Sequence, residues 1–330
     1  MEILVSRYAA VLAAAAALLA APVHAKEGDT FRPVVSLGYF SDSNLFRLSD
    51  NESPGLPRDD RYAILSAGLN MDWKPGRQQV VANATKTLVR YDRYAVYDFY
   101  GSDYKATWNW RLGNRLSGNL GVSESLSQSK FDSVGTVNNE VTQKRYFGRA
   151  EWEFHPRWRI GGGIDETDST NSNPLQISND FQRRALDVTL GYRTPKGSDL
   201  RAQVRSIDAE FPNPDIVSYI CPFPGLCFVS EVADNSYKQT EYNLLGDWRV
   251  SGKLALRGQI GWVDREYKNV LRGNLGGPPQ LREHPDFSGF SGRISADWYV
   301  TGKTLLNVSA YRELGAAGDI NAVSVLKSGG

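Results

Sequence analysis

Two-residue periodicity, broken alternately by short turns and long polar connections, constrains this chain more than any other feature. Leu254, Leu256, Gly258, Ile260 and Trp262 fall on one face of a strand, and Ala255, Arg257, Gln259 and Gly261 on the other. Residues 186–192, 200–204, 242–248 (Leu245 excepted) and 294–298 read the same way. Helical periodicity is nearly absent. Tight turns stand at 74–77, 112–114, 155–157, 194–197, 250–252 and 300–302, where Pro and Gly supply several of the backbone angles needed. Long polar connections span 41–60, 132–140, 169–180, 212–235 and 268–284. A soluble β-sandwich also alternates, but it has no reason to place every long loop at one end. Short turns on one side and long loops on the other predict an all-β fold: a transmembrane, antiparallel, up-and-down β-barrel of the bacterial outer membrane.

Composition fits that reading once each face is counted separately. The 330 residues carry a net charge of +1 and are 41% hydrophobic, with a mean hydropathy of -0.41. A barrel turns only every second residue to lipid, so a polar average is expected. The balanced charge argues against a nucleic-acid partner. Residues 1–25 have Arg7, an apolar run over 11–21 and Val23-His24-Ala25, the pattern of a secretory signal peptide. The expected mature barrel therefore covers 26–330. Its two cysteines, Cys221 and Cys227, suit one local disulfide in an exported chain, and their spacing is not C-x-x-C.

Seven of the eight tryptophans lie beside the short turns: Trp73, Trp108, Trp110, Trp152, Trp158, Trp248 and Trp298. They are expected to form a girdle at one membrane interface, with outer-membrane lipid as partner. Asp72-Trp73, Asp247-Trp248, Asp297-Trp298 and the variant Glu151-Trp152 each precede a turn, so the acid points inward when the Trp points out. The polar face also holds Arg145, Arg149, Arg159, Arg193, Arg201, Arg205, Arg249, Arg257 and Arg293. A charge facing lipid near the midplane costs ~2–4 kcal/mol, which drives these arginines into the lumen. There they pair with acids or touch a polysaccharide. Lys86 breaks the pattern of its strand.

Thirteen strands are expected, near 31–40, 62–73, 78–91, 97–111, 115–128, 142–154, 157–167, 181–193, 199–210, 237–249, 253–266, 287–299 and 303–313, with a fourteenth beginning at Ala322. Closed barrels of this kind have even strand numbers. The ending Val325-Leu-Lys-Ser-Gly-Gly330 lacks the amphipathic, aromatic last strand such chains carry. A truncated C-terminus and a parent of about sixteen strands are therefore expected.

The first strand runs into Gly38, Tyr39, Asp42, Asn44, Leu45, Phe46 and Arg47, in the order G-Y-x-x-D-x-N-L-F-R. This resembles the opening of the EpsL-like outer-membrane proteins of exopolysaccharide operons, in the β-barrel porin 2 group. The repeated Asp-Trp before tight turns is similar to that group as well. The resemblance implies a part in polysaccharide biosynthesis or export, with the polysaccharide and periplasmic export proteins as partners. The chain departs from the group in lacking a proper final strand.

No catalytic constellation emerges, and no cofactor or metal site. His155 sits in a short turn and His284 in a long connection, so they face opposite sides of the membrane. A hydrolase would need His284 with Ser288 or Ser291, a generic arrangement. Glu151 and Glu153 could serve as glycosidase carboxylates, but pairing with arginines such as Arg149 is the simpler expectation. Gly161-Gly-Gly163 is read as a strand bend, because no helix follows it. The acidic first loop matches no EF-hand spacing. The expected function is a channel or scaffold for exopolysaccharide. The alternatives are a general diffusion porin, with 212–235 as its inward loop, and an outer-membrane hydrolase.

Overall fold

The computed structural model describes residues 30–48, 57–129, 131, 137–223, 226–267, 269–274, 277–283, 286–301, 303–315 and 325–329. The proposed signal peptide and His284 lie outside these residues. In chain order the strands are β1 (Phe31–Asp42), β2 (Asp60–Trp73), β3 (Gln79–Tyr91), β4 (Phe99–Leu112), β5 (Leu116–Gln128), β6 (Glu140–His155), β7 (Trp158–Asn171), β8 (Phe181–Arg193) and β9 (Asp199–Glu210). They continue with β10 (Asp215–Phe223), β11 (Leu226–Ala233), β12 (Tyr237–Arg249), β13 (Leu254–Tyr267), β14 (Asn269–Asn274), β15 (Gly277–Glu283), β16 (Phe287–Tyr299), β17 (Leu305–Gly315) and β18 (Val325–Gly329).

Fourteen strands form one sheet in the order β1 to β9, β12, β13, β16, β17, β18. Each lies beside its neighbour in sequence, except where the hairpins β10–β11 and β14–β15 leave the sheet. Those hairpins pair with each other through β11 and β14 to make a second, four-stranded sheet. This corrects the reading of 212–235 and 268–284 as loops. The first of these segments is rich in strand formers such as Ile216, Val217, Tyr219, Phe228 and Val229, which reading it as a polar loop passed over, and the pairing that orders both segments is between hairpins far apart in sequence. The fourteenth strand of the main sheet is described over Val325–Gly329, and its expected start at Ala322 lies outside the described residues.

The chain divides into two compact units. One comprises residues up to Trp110 with Asn119–Tyr146 and Asp168–Ile177; the other comprises Arg111–Gly118, Phe147–Thr167 and Ser178–Gly330. The short turns are tight because glycine lets them be. Gly76 and Gly113 adopt φ of 64° and 60°, a region that side-chain-bearing residues rarely enter.

Register sorts the side chains of the second unit into two faces. Val188, Val204, Tyr242, Trp262 and Phe290 stand opposite one another in a row across β8, β9, β12, β13 and β16. All five are exposed, at 60%, 50%, 52%, 48% and 45%. The row one residue along, on the other face, is Thr189, Gln203, Asn243, Gly261 and Ser291. In the first unit, Trp73, Val80 and Trp108 form a similar apolar row, backed by Asp72 and Gln79. Soluble proteins rarely expose contiguous apolar patches beyond a few hundred Å². Here an apolar stripe crosses strand after strand.

The ends of the stripe fit a membrane. Trp152, Trp158, Trp248 and Trp298 border the short turns of the second unit, and all face the apolar side. Trp262 occupies the opposite end of that face, followed by Asp264. Its Nε1 donates to Ser288 Oγ at 2.9 Å, the polar contact an interfacial Trp keeps. An apolar band edged by aromatic residues and then charges is the lipid-facing surface of a membrane strand. The protein is an all-β, up-and-down antiparallel fold of the outer-membrane β-barrel class, and it sits in that membrane.

Candidate functional site

The polar face of the second unit is an arginine–carboxylate network. Asp199 begins β9 and receives Arg159 from β7 and Arg201 from its own strand, the latter at 2.8 Å. Arg193 lies 3.9 Å away. Glu151 approaches the other side of Arg159 at 3.4 Å. The Arg159 side chain is buried, 8% exposed. Gly191 makes room for it, since a Cβ there would fall 2.7 Å from Arg159 Nε. Arg149 pairs with Asp187, which also accepts from Gln203 Nε2 at 3.1 Å. The expected partner of Glu151 thus changes: it pairs with Arg159, while Arg149 reaches across to Asp187. Gly163 is the residue that lets them meet, because its Cβ would fall 2.7 Å from Asp187 Oδ2. The glycine run clears space for an ion pair.

The Asp-Trp dipeptides behave as alternation requires. Trp248 and Trp298 face the apolar side, while on the polar side Asp247 stands in register with Arg257 and Asp297, opposite Ala255, lies diagonal to it. Arg257 reaches Asp297 at 2.9 Å and Asp247 at 3.9 Å. In the first unit Asp72 accepts from Gln79 Nε2 at 2.8 Å and meets Lys74 at 2.9 Å. Such pairs satisfy charges that lipid would not.

A cleft of about 540 Å³ opens on this face, bordered by Asp199, Arg201, Asp247, Arg257, Gln259 and Arg293. The Arg293 guanidinium lies 5.5 Å from the Tyr311 ring centroid. Arg205 faces Asp187 and Glu241 in register, and Arg249 closes β12, its N–H donating to Ser198 Oγ at 3.1 Å. Arg145, in the first unit, alternates with Tyr146, which is exposed on the apolar side. The nine arginines all fall on polar-face positions, but the cleft gathers only Arg201, Arg257 and Arg293.

The motif at the end of the first strand has a structural role that sequence reading did not assign. Asp42 caps a tight turn, accepting the Asn44 N–H at 3.0 Å and both terminal nitrogens of Arg47. Asn44 bonds both the carbonyl and the N–H of Leu48. Arg47 adopts φ 56° to complete the turn. This sets Leu45 and Phe46 inward, 5% and 3% exposed, against Tyr91, Tyr97 and Phe131. Gly38 leaves space for the Phe40 ring, and Phe40 stacks on Tyr62 at 5.3 Å. Tyr39 is exposed and reaches Asp92. The available signal was the pair Leu45-Phe46 inside an otherwise polar connection.

Amides tie this aromatic cluster down. Asn139, 1% exposed, donates to Ser129 Oγ at 2.7 Å and Asn171 Oδ1 at 2.8 Å, and accepts the Asn173 N–H. Asn138 donates to the Val96 carbonyl at 3.0 Å. Burial pushes the Tyr97 hydroxyl above its ordinary pKa, and Tyr94 adds to the shift. On the rim, the hydrogen bond from Arg93 holds the Asp59 carboxyl below the usual range.

The hydrolase candidates separate. Ser288 is on the apolar side with Trp262 and Asp264, whereas Ser291 alternates onto the polar face. Among the described residues no three His, Cys, Asp or Glu side chains converge as metal ligands. The backbone of Cys221 and Cys227 lies in β10 and β11, but the expected disulfide falls outside the described side chains.

The chain matches no protein-family model and no curated protein. Similar solved structures include the alcaligin outer membrane receptor FauA of Bordetella pertussis, at 14% identity and TM-score 0.46, covering 78% of this chain and 42% of the receptor. The ferric-catecholate import receptor Fiu of E. coli K12 aligns at 10% identity and TM-score 0.48, covering 89% of this chain and 52% of Fiu. The translocator domain of the autotransporter NalP from Neisseria meningitidis aligns at 10% identity and TM-score 0.25, covering 93% and 89%. The chain thus spans about half the length of the receptors it matches.

Proposed function

We propose that this protein is an outer-membrane channel or scaffold that contacts a polysaccharide during exopolysaccharide biosynthesis or export. The cleft bordered by Arg201, Arg257 and Arg293 carries the reading. Guanidinium groups donate several hydrogen bonds in a fixed plane and suit sugar hydroxyls and carboxylates. The neighbouring Asp247 and Gln259 add acceptors, so a polymer can exchange partners along the face without binding tightly. The resemblance of the first-strand motif to exopolysaccharide-operon proteins supports the choice of polymer class. Periplasmic export proteins are the expected partners.

Deleting the gene and measuring secreted exopolysaccharide tests the role in the cell. Replacing Arg201, Arg205 and Arg257 by Ala together should alter single-channel conductance and reduce export. A heat-modifiable band on a gel confirms that the variant is folded. Unchanged polymer yield in the deletion strain would refute the export role. Unselective liposome swelling by small sugars, with normal export, would favour a general diffusion porin.

A further inference from the structure

Lys86 sits on the apolar face of β3, between Ala67 of β2 and Ser102 of β4 in register. Val80, Ala82, Ala84 and Leu88 share its face. Its ammonium lies 5.2 Å from the Tyr104 ring centroid, and among the described residues no carboxylate comes within ion-pair distance of it. Arg90 stands two ladder positions nearer the long-loop end. Its guanidinium stacks on Tyr100 at 4.5 Å, donates to the Tyr100 hydroxyl and meets Asp98 at 3.5 Å. Arg61 joins the same face, one step beyond Ala63, which faces Arg90. The result is a cationic column, Arg61, Arg90 and Lys86, walled by two tyrosines.

Elsewhere on this face, two clusters of charges mix signs, while Asp264 and Arg312 stand as single charges. Glu166 meets Arg184 at 3.4 Å, and Lys238 faces Asp208 and Glu266 in register. Only Asp98 offsets the three cations of β2 and β3 at ion-pair distance among the described residues. A cation held on a lipid face calls for an anion, and the anions that surround such a face are lipid headgroups. The long, flexible Lys86 stem can carry its ammonium toward them. Guanidinium groups bind phosphate oxygens bidentately.

We infer that Arg61, Lys86 and Arg90, framed by Tyr100 and Tyr104, bind the phosphate groups of a lipid in the leaflet around the long loops. The inference rests on the membrane placement and is independent of the polysaccharide reading.

Native mass spectrometry of the full chain in detergent, titrated with bis-phosphorylated lipid A, tests this. Lipid A stripped of both phosphates and inorganic phosphate alone serve as the comparison probes. Lys86→Leu with Arg61→Ser should weaken lipid A binding by roughly tenfold or more, while Arg184→Ser should not. The dephosphorylated lipid should bind the wild type as weakly as lipid A binds the double variant. Equal binding by the wild type and the double variant would overturn the proposal, as would indifference to the lipid phosphates. Full competition by millimolar inorganic phosphate would assign the column to free phosphate and overturn the lipid site. If the double variant loses its heat-modifiable band, Lys86→Gln alone decides by the same readout.

Discussion

Phe46 meets Phe131 edge to face, with ring centroids 5.3 Å apart and planes at 72°. The two residues come from different long connections of the first unit. Tyr94 and Tyr97 complete the surround at 5.0 and 5.6 Å. This contact fastens connections that would otherwise be separate polar loops. Phe46→Ala should cost the cluster ~3–5 kcal/mol, the usual range for truncating a buried Phe. Hydrogen exchange should then speed up at residues 45–48 and 94–98 while the strands stay protected. Unchanged exchange at those amides would show that the cluster does not hold the connections.

The same cluster should loosen in alkali. Burial raises the folded pKa of Tyr97 above the unfolded value near 10. Its contribution is fully present below that unfolded value and is lost as pH rises through the folded one. Limited proteolysis of the long connections should therefore accelerate between neutral pH and pH values above about 10. Tyr97→Phe should remove part of that acceleration, and identical profiles for both proteins would contradict the assignment.

On the polar face of the second unit, Asp199 joins three arginines, of which Arg159 is the buried one. Asp199→Asn leaves Arg159 with Glu151 alone, and breaking a buried pair costs ~3–5 kcal/mol. Urea unfolding in lipid vesicles, followed by Trp fluorescence, measures the loss. Adding Arg159→Met should recover part of it, because the stranded charge is then gone. A single variant within 1 kcal/mol of wild type would show that water, not Asp199, solvates Arg159.

Much of this was legible because strand alternation is a local property. Faces, short turns and the outward tryptophans all follow from a two-residue period, and the Asp-Trp acids fell on the polar face as expected. Partners were less legible. Arg149 finds Asp187 38 residues away, through space cleared at Gly163, and nothing near Arg149 announces it. The β11–β14 pairing joins two hairpins that are far apart in sequence and that carry no register signal for one another. The motif residues Leu45 and Phe46 were visible as a resemblance, but their burial depends on Phe131 and the Asn139 amide, which lie far along the chain.

Adjacent residues on opposite faces offer the sharpest test of the membrane assignment. Val204 is half exposed in the apolar row of β9, and Gln203 beside it points to the polar face near Asp187. In water an Arg at an exposed site such as 204 would shift stability by only about ±0.5 kcal/mol. In lipid, Val204→Arg should cost ~2–4 kcal/mol if the site lies near the midplane. Gln203→Arg should be tolerated, because Asp187 and the wet polar face accept the charge. The measurement is unfolding in vesicles of defined lipid, with the two variants compared at equal protein-to-lipid ratio. The face is lipid-exposed if Val204→Arg is the costly one, and two equally mild variants would place the apolar stripe against something other than lipid.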